Sequence, residues 1–291
     1  MAAEKSLALV LRAIDFSETS VIVTLFTREF GKISGLAKGG RRLKGPFESA
    51  LDLLALCRVV FLRKSSDALD LLTEAKLERR FRVNQAGLRG LNAAYYIAEL
   101  LRELTHDNDP HPELFDAADA TLVALGTSGE VPAHVTFEHV LKFELTALRL
   151  LGHMPSLDTC AECGATIAAT GRVSFGHTDG GVLCAACRPG RRNVVSLSAA
   201  GLAVLKRLSE EPSEQTGISS RVLCEHQEST TEANDSYERP AKSQNPTPVL
   251  AEHPTNNLER NIRGELRGLM NHYLAHLVGH ELRTQKALSA N

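Results

Sequence analysis

Apolar residues come in short runs over the first eighty positions of the chain and then recur at helical spacing. From Lys5 to Leu77 the runs are brief and turn residues separate them. Ser6–Phe16 is rich in Leu and Val, and T-S-V-I-V-T-L-F-T at Thr19–Thr27 has the β-branched content of a strand. Phe30-Gly31-Lys32 reads as a turn into I-S-G-L-A-K, and Leu51–Arg63 and Ala68–Ala75 bring the set to about five strands. Five is the count of a small Greek-key barrel of the OB type, although strand count alone does not fix topology.

Near Phe81 the period changes. Leu88, Leu91, Ala94, Tyr95, Ala98, Leu101 and Leu104 recur at helical spacing until His106-Asp107-Asn108-Asp109-Pro110 breaks the pattern. A second helix is predicted over Pro112–Leu125, with Pro112 at its first position, and a third over Ala133–Leu151. A further helix is predicted within Ser196–Glu210, capped by Ser198, and a last one over Leu258–Ala287. These stripes read as an internal helical core. Between the last two helices, residues 209–256 are rich in Ser, Thr, Glu, Asn and Pro. They hold too little apolar surface to offset the entropy of ordering, which predicts a disordered insertion.

The spacer between the third and fourth helices carries the chain's most specific chemistry. Cys160, Cys163, Cys184 and Cys187 form C-x2-C-x20-C-x2-C, the arrangement of a four-thiolate metal site. Gly164 supplies the positive φ that a knuckle turn needs, and Asp179-Gly180-Gly181, between Val173/Phe175 and Val182/Leu183, predicts a hairpin joining the two pairs. Four thiolates close the coordination sphere of Zn²⁺, so the zinc is expected to be structural. Two disulfides, or an iron–sulfur cluster on the same cysteines, are the alternatives. Cys57 reads as a buried small side chain and Cys224 as incidental.

The fold class expected from these patterns is α+β and multidomain, an N-terminal OB-fold β-barrel followed by a helical domain carrying a four-cysteine zinc module. The expected units are the barrel at 1–82, the helical domain at 83–155, the zinc module at 156–192, the helical domain again at 193–210, the insertion at 211–256, and a C-terminal helix at 257–291 that packs on the helical domain.

Charge divides along the same lines. The formal net charge is −2, but residues 1–82 carry 15 Lys/Arg against 10 Asp/Glu, and residues 83–150 carry 4 against 10. The first segment is therefore the one expected to meet a polyanion. Within it, Lys38-Gly39-Gly40-Arg41-Arg42-Leu43-Lys44-Gly45-Pro46-Phe47 makes a poor strand and a good exposed loop. Lys38, Arg41, Arg42 and Lys44, with Lys32 nearby, are candidate phosphate contacts, and Arg79, Arg80 and Arg82 at the barrel exit form a second basic cluster. A solvated charged loop is the bland alternative.

Catalytic patterns are missing. The chain holds no paired carboxylates, Ser-His-Asp arrangement, HExxH or phosphate-cradling glycine motif, which argues against an enzyme. His272, His276 and His280 fall on one face of the last helix, where surface or packing roles are favoured over a metal or pH role. The start M-A-A-E-K-S lacks a signal-peptide layout and no apolar run approaches a membrane span, so the expected setting is cytoplasmic, with no membrane.

In order along the chain, T-L-F-T-R-E-F-G-K-I followed by A-K-G-G-R-R-L-K-G-P-F resembles the N-terminal barrel of the RecO family of recombination mediators. The helix leading into G-H-M-P-S-L-D-T-C-A-E-C-G, then G-G-V-L-C-A-A-C-R, then R-G-E-L-R-G-L-M-N-H-Y-L-A-H-L resemble it as well. The resemblance implies binding of single- and double-stranded DNA and annealing of complementary strands. It also implies help in loading recombinase onto strands coated by single-stranded-DNA-binding protein, without ATP. It implies RecR and the coating protein as partners, and the recombinase RecA indirectly. The insertion is longer than the family's usual connection, and the barrel has Phe16, Phe26, Phe30, Phe47 and Phe61 but no Trp or Tyr, so phosphate contacts are expected to outweigh base stacking. A zinc-stabilised scaffold acting only through protein contacts is the alternative function, and it leaves the Lys/Arg loop unexplained.

Overall fold

The computed structural model describes residues 3–42, 45–47, 50–64, 69–127, 131–168, 170–210 and 254–289. Lys44, Cys224 and nearly all of the expected insertion lie outside the described residues.

The first five strands are β1 (Ala3–Asp15), β2 (Val21–Thr27), β3 (Gly31–Ala37), β4 (Leu56–Leu62) and β5 (Asp70–Arg79). They close into a barrel in the order β1-β2-β3-β5-β4, with β4 pairing back on β1. Every pairing is antiparallel except the short parallel β3–β5 contact, Gly35↔Asp70 to Ala37↔Leu72. Closure buries the alternating set Val10, Val23, Leu25, Ile33, Val59, Phe61 and Leu72, while Ala8, Ala37, Cys57 and Ala75 fill the narrow places. Burial pushes the Cys57 thiol up to about 12, in keeping with its role as a small apolar filler. Phe47, from the long β3–β4 connection, plugs one end of this core.

Two expectations about the barrel change in detail. Leu51–Ala55 is a turn rather than strand, because Leu54 takes a left-handed φ of 66° and bonds its N–H to Val10 O at 2.9 Å. The last strand runs on to Arg79, so that residue belongs to the sheet.

The helices are α1 (Val83–Leu104, interrupted by non-helical Gly87), α2 (Pro112–Thr127) and α3 (Ala133–Leu150). A three-stranded sheet of β6 (Arg172–Gly176), β7 (Gly181–Leu183) and β8 (Val194–Ser198) follows. Then come α4 (Ala199–Glu210), α5 (Pro254–Val278) and α6 (Gln285–Ser289). Ser198 caps α4 as expected, accepting the Gly201 N–H at 3.0 Å. The residues before it add an element. They form a strand that the sequence reading did not place: Val194–Ser198 pairs antiparallel with β6, since β6 leaves an edge that V-V-S-L-S can cover. The last helix is also two, divided after Val278.

One large core joins α1 to α5 with the outer face of the barrel, where Phe26 meets Phe115 at 6.1 Å between ring centroids. The barrel docks through polar contacts too. Arg28 grips Asp116 with two bonds of 2.8 and 2.9 Å, and Arg79 pairs with Asp119. Gly31 turns at φ 69° so close to the α1–α2 loop that a Cβ there would lie 2.0 Å from Asp109 O. Deep in the helical core, Tyr96 and Arg267 both donate to Glu144, which is fully buried. Glu99 accepts the backbone N–H groups of Arg283 and Thr284 at 3.0 and 2.9 Å, holding the end of the chain onto α1.

Candidate functional site

The cysteine pairs sit on two knuckles. In the first, Gly164 at φ 73° donates its N–H to Cys160 O at 2.9 Å; in the second, the Cys187 and Arg188 N–H groups turn back to Cys184 O at 3.2 and 3.1 Å. The β6–β7 hairpin brings the knuckles together, and the four Sγ atoms lie within 4.8 Å of one another. A tetrahedral ion with Zn–S bonds of about 2.3 Å requires sulfurs about 3.8 Å apart. Cys163 Sγ and Cys184 Sγ are 3.8 Å apart.

The surroundings drive two of the thiols apart in acidity. Backbone N–H groups of Cys163 and Cys184 pull Cys160 down to about 6. Hydrogen bonds to the sulfurs of Cys184 and Cys163 push Cys187 up to about 12. Four thiolates so close repel each other strongly, and a bound dication removes the repulsion. The four-sulfur set therefore fits a structural metal with no open position. Outside it, Arg191 ties the first knuckle to the hairpin turn, bonding Glu162 at 2.7 Å and Asp179 at 2.8 Å.

The candidate phosphate contacts have different fates. Lys38, Arg41 and Arg42 are exposed on the turn after β3. That turn leans on the β1–β2 turn: Arg41 N–H donates to Thr19 O at 3.1 Å, and the Arg41 guanidinium reaches Ser17 O at 3.4 Å and Asp15 at 3.3 Å. Lys44 lies outside the described residues. Lys32 is turned the other way. Its ammonium donates to Arg102 O at 2.7 Å and Thr105 O at 2.6 Å, satisfying carbonyls at the C-terminus of α1, and sits 3.4 Å from Asp107. Those bonds engage its charge within the chain. Arg79 is likewise engaged with Asp119. Arg80 and Arg82 remain exposed, beside a shallow cavity of about 160 Å³ that they line with Leu54, Phe81 and Leu122.

His272, His276 and His280 are all exposed on and just past α5. His177 was missed. It is 5% exposed, its ring stacks on His272 at 5.6 Å, and neither ring nitrogen has a partner. Burial, reinforced by His272 and His276, pulls it down to about 4. A single His in a G-H-T-D-G-G turn gives no signal of this in sequence.

Comparison with known proteins covers the same two halves. Residues 1–81 match the family model described as Recombination protein O N terminal, and residues 86–239 match Recombination protein O C terminal. The chain is 45% identical over 285 residues to DNA repair protein RecO of Rhodopirellula baltica, covering 97% of each chain. It is 40% identical over 206 residues to DNA repair protein RecO of Anaeromyxobacter dehalogenans, covering 71% of this chain and 79% of that one. The protein of the same name from Myxococcus xanthus is 36% identical over 205 residues, covering 70% and 80%.

Proposed function

The chain belongs to the recombination protein O family, and from that premise we propose that it acts in DNA repair as a DNA-binding recombination mediator. In this reading it binds single- and double-stranded DNA and anneals complementary strands. It helps recombinase load onto strands coated by single-stranded-DNA-binding protein, with RecR as partner, and cuts no strand itself. The observation that carries the reading is the group of exposed cations, Lys38, Arg41 and Arg42, at one rim of a closed five-stranded barrel. Cations there neutralise phosphates and release counterions regardless of sequence, as annealing of arbitrary strands requires. Lys44 belongs to the same loop, and Arg80 and Arg82 extend the contact. Lys32 and Arg79 are left out because their charges serve the barrel's own docking. The four-cysteine site holds zinc and keeps the hairpin folded, with no part in chemistry.

Arg41→Ala/Arg42→Ala tests the reading. Log affinity for single strands should fall with log salt, and the double variant should make that slope shallower by about one to two units. Annealing should drop with it, while melting and metal content stay unchanged. An unaltered slope there and in Arg80→Ala/Arg82→Ala protein would overturn DNA binding by these loops and favour a scaffold working through protein contacts. Metal analysis of protein purified without added metal should find about one zinc per chain. Labile sulfide in its place would assign the cysteines to an iron–sulfur cluster.

A further inference from the structure

Phe16 lies just past the end of β1, in the turn to β2, and is 62% exposed, in a barrel whose other described aromatics are buried or half-buried. A lone exposed apolar side chain is ordinary on a protein surface. Two features set this one apart. The turn that presents it is fixed by its own bonds, Phe16 N–H to Ser20 O at 3.0 Å, Ser17 N–H to Ser20 O at 3.2 Å, and Ser20 N–H to Ser17 Oγ at 3.1 Å. The basic turn is also tied to it, through the Arg41 N–H on Thr19 O and the Arg41 guanidinium on Ser17 O. Ile14, two positions back and 41% exposed, extends the apolar surface beneath.

From this pairing of an exposed ring with exposed cations, we propose that Phe16 stacks on an unpaired nucleobase whose flanking phosphates lie on Lys38, Arg41 and Arg42. The inference rests on the DNA-binding reading and sharpens it. Phosphate contacts treat single strand and duplex alike, whereas a ring can stack only on a base whose face is free. Phe16 is therefore the residue that makes the barrel rim prefer single strands. It also holds one base splayed for pairing with a second strand. The β1–β2 loop is a place where OB barrels meet oligonucleotides, and here it carries the ring.

The chain contains no tryptophan, so Phe16→Trp introduces a single reporter at the proposed contact. Full-length Phe16→Ala should bind an oligothymidylate roughly 5- to 100-fold more weakly than the parent, with duplex affinity within about twofold. Phe16→Trp should restore single-strand affinity, and its fluorescence should be quenched by oligothymidylate but not by duplex or by an abasic oligonucleotide. Equal single-strand affinity in Phe16→Ala with an unquenched Phe16→Trp would overturn stacking and make Phe16 a protein-contact residue. The DNA-binding reading would survive that result if the parent's affinity still falls with salt and Arg41→Ala/Arg42→Ala still flattens the slope. A parent protein with no affinity for single strands would overturn both.

Discussion

The two ends of β3 use lysine in opposite ways. At its start, Lys32 faces inward and is consumed by α1 carbonyls; just past its end, Lys38 is exposed to solvent. The same division separates Arg28 and Arg79, which grip Asp116 and Asp119 on α2, from Arg42, which is exposed on the rim turn. Part of the excess positive charge of residues 1–82 thus answers the excess negative charge of residues 83–150 within one molecule. Net charge by segment marks where an anion will be met but not whether it comes from the same chain. What separates the two classes is where the partner lies. Arg28, Arg79 and Lys32 reach across to the helical domain, whereas rim Arg41 pairs with Asp15 within its own barrel and stays exposed. The most buried of those three, Lys32, has a carbonyl row at bonding distance, because leaving an ammonium unpaired in low dielectric is costly.

The largest expected effect comes from breaking an inward pair. Arg267→Ala leaves Glu144 buried without its cation and should cost about 3–5 kcal/mol in denaturant unfolding. Replacing both with apolar residues of similar volume should recover most of it, since the penalty lies in the stranded charge. A cost below about 1 kcal/mol for the single change would mean that Glu144 is not held as an anion there.

His177 sharpens the comparison from the other side, as an inward base with no partner that stays neutral. An unfolded His titrates near 6.5 and His177 in the fold at about 4. Above about 6.5 the ring is neutral in both states. Between about 6.5 and 4 only the unfolded state takes up the proton, so stability falls as the pH falls through that window. The loss is on the order of 2 kcal/mol, discounted from the full shift because His272 and His276 face solvent. His177→Phe should flatten the dependence in that window, and parent and variant measured at each pH share any loss from thiolate protonation. Glu99 acts in the same direction at lower pH. Burial raises its pKa, but the bonds from Thr284 and Arg283 outweigh burial and lower it, so its contribution is lost on acidification below the ordinary carboxylate range.

The smallest effects give the cleanest contrast. Lys32→Met should cost about 1–2 kcal/mol, by stranding the carbonyls of Arg102 and Thr105, and leave the salt dependence of DNA binding unchanged. Lys38→Ala should change stability by less than about 0.5 kcal/mol and make the single-strand salt slope shallower by about 0.7. Reversed outcomes would invert the assignment of the two ends of β3.

The elements legible in the sequence were those whose signal is local. The β-branched content of Thr19–Thr27, helical spacing from Leu88 to Leu104, the Ser198 cap and the cysteine spacing each depend on near neighbours, and each corresponds to an observed element or cluster, although Leu88 itself is 67% exposed. What was not legible depended on distant partners. Val194–Ser198 becomes a strand only because β6 offers an edge, and its apolar content merges in sequence with the helix that follows. Lys32 reads as one more cation of a basic loop until α1, some seventy residues on, brings its last carbonyls to it. Phe16 was counted among the barrel's aromatics, but its exposure is a property of the closed barrel, not of its neighbours in the chain.

The Tyr96–Glu144–Arg267 cluster also sets a schedule on the ribosome. Every strand of the barrel is available once Arg79 has emerged, so that unit can close early. Glu144 leaves the exit tunnel long before Arg267, which follows 123 residues later. At about 5–20 residues per second, that interval is roughly 6–25 s. Throughout it, the nascent helices that will surround Glu144 must keep its carboxylate hydrated and their apolar stripes incompletely covered. The segment before α5 therefore lengthens the time that a half-built helical core spends exposed to chaperones and proteases, while the basic rim of the barrel beside it is already complete.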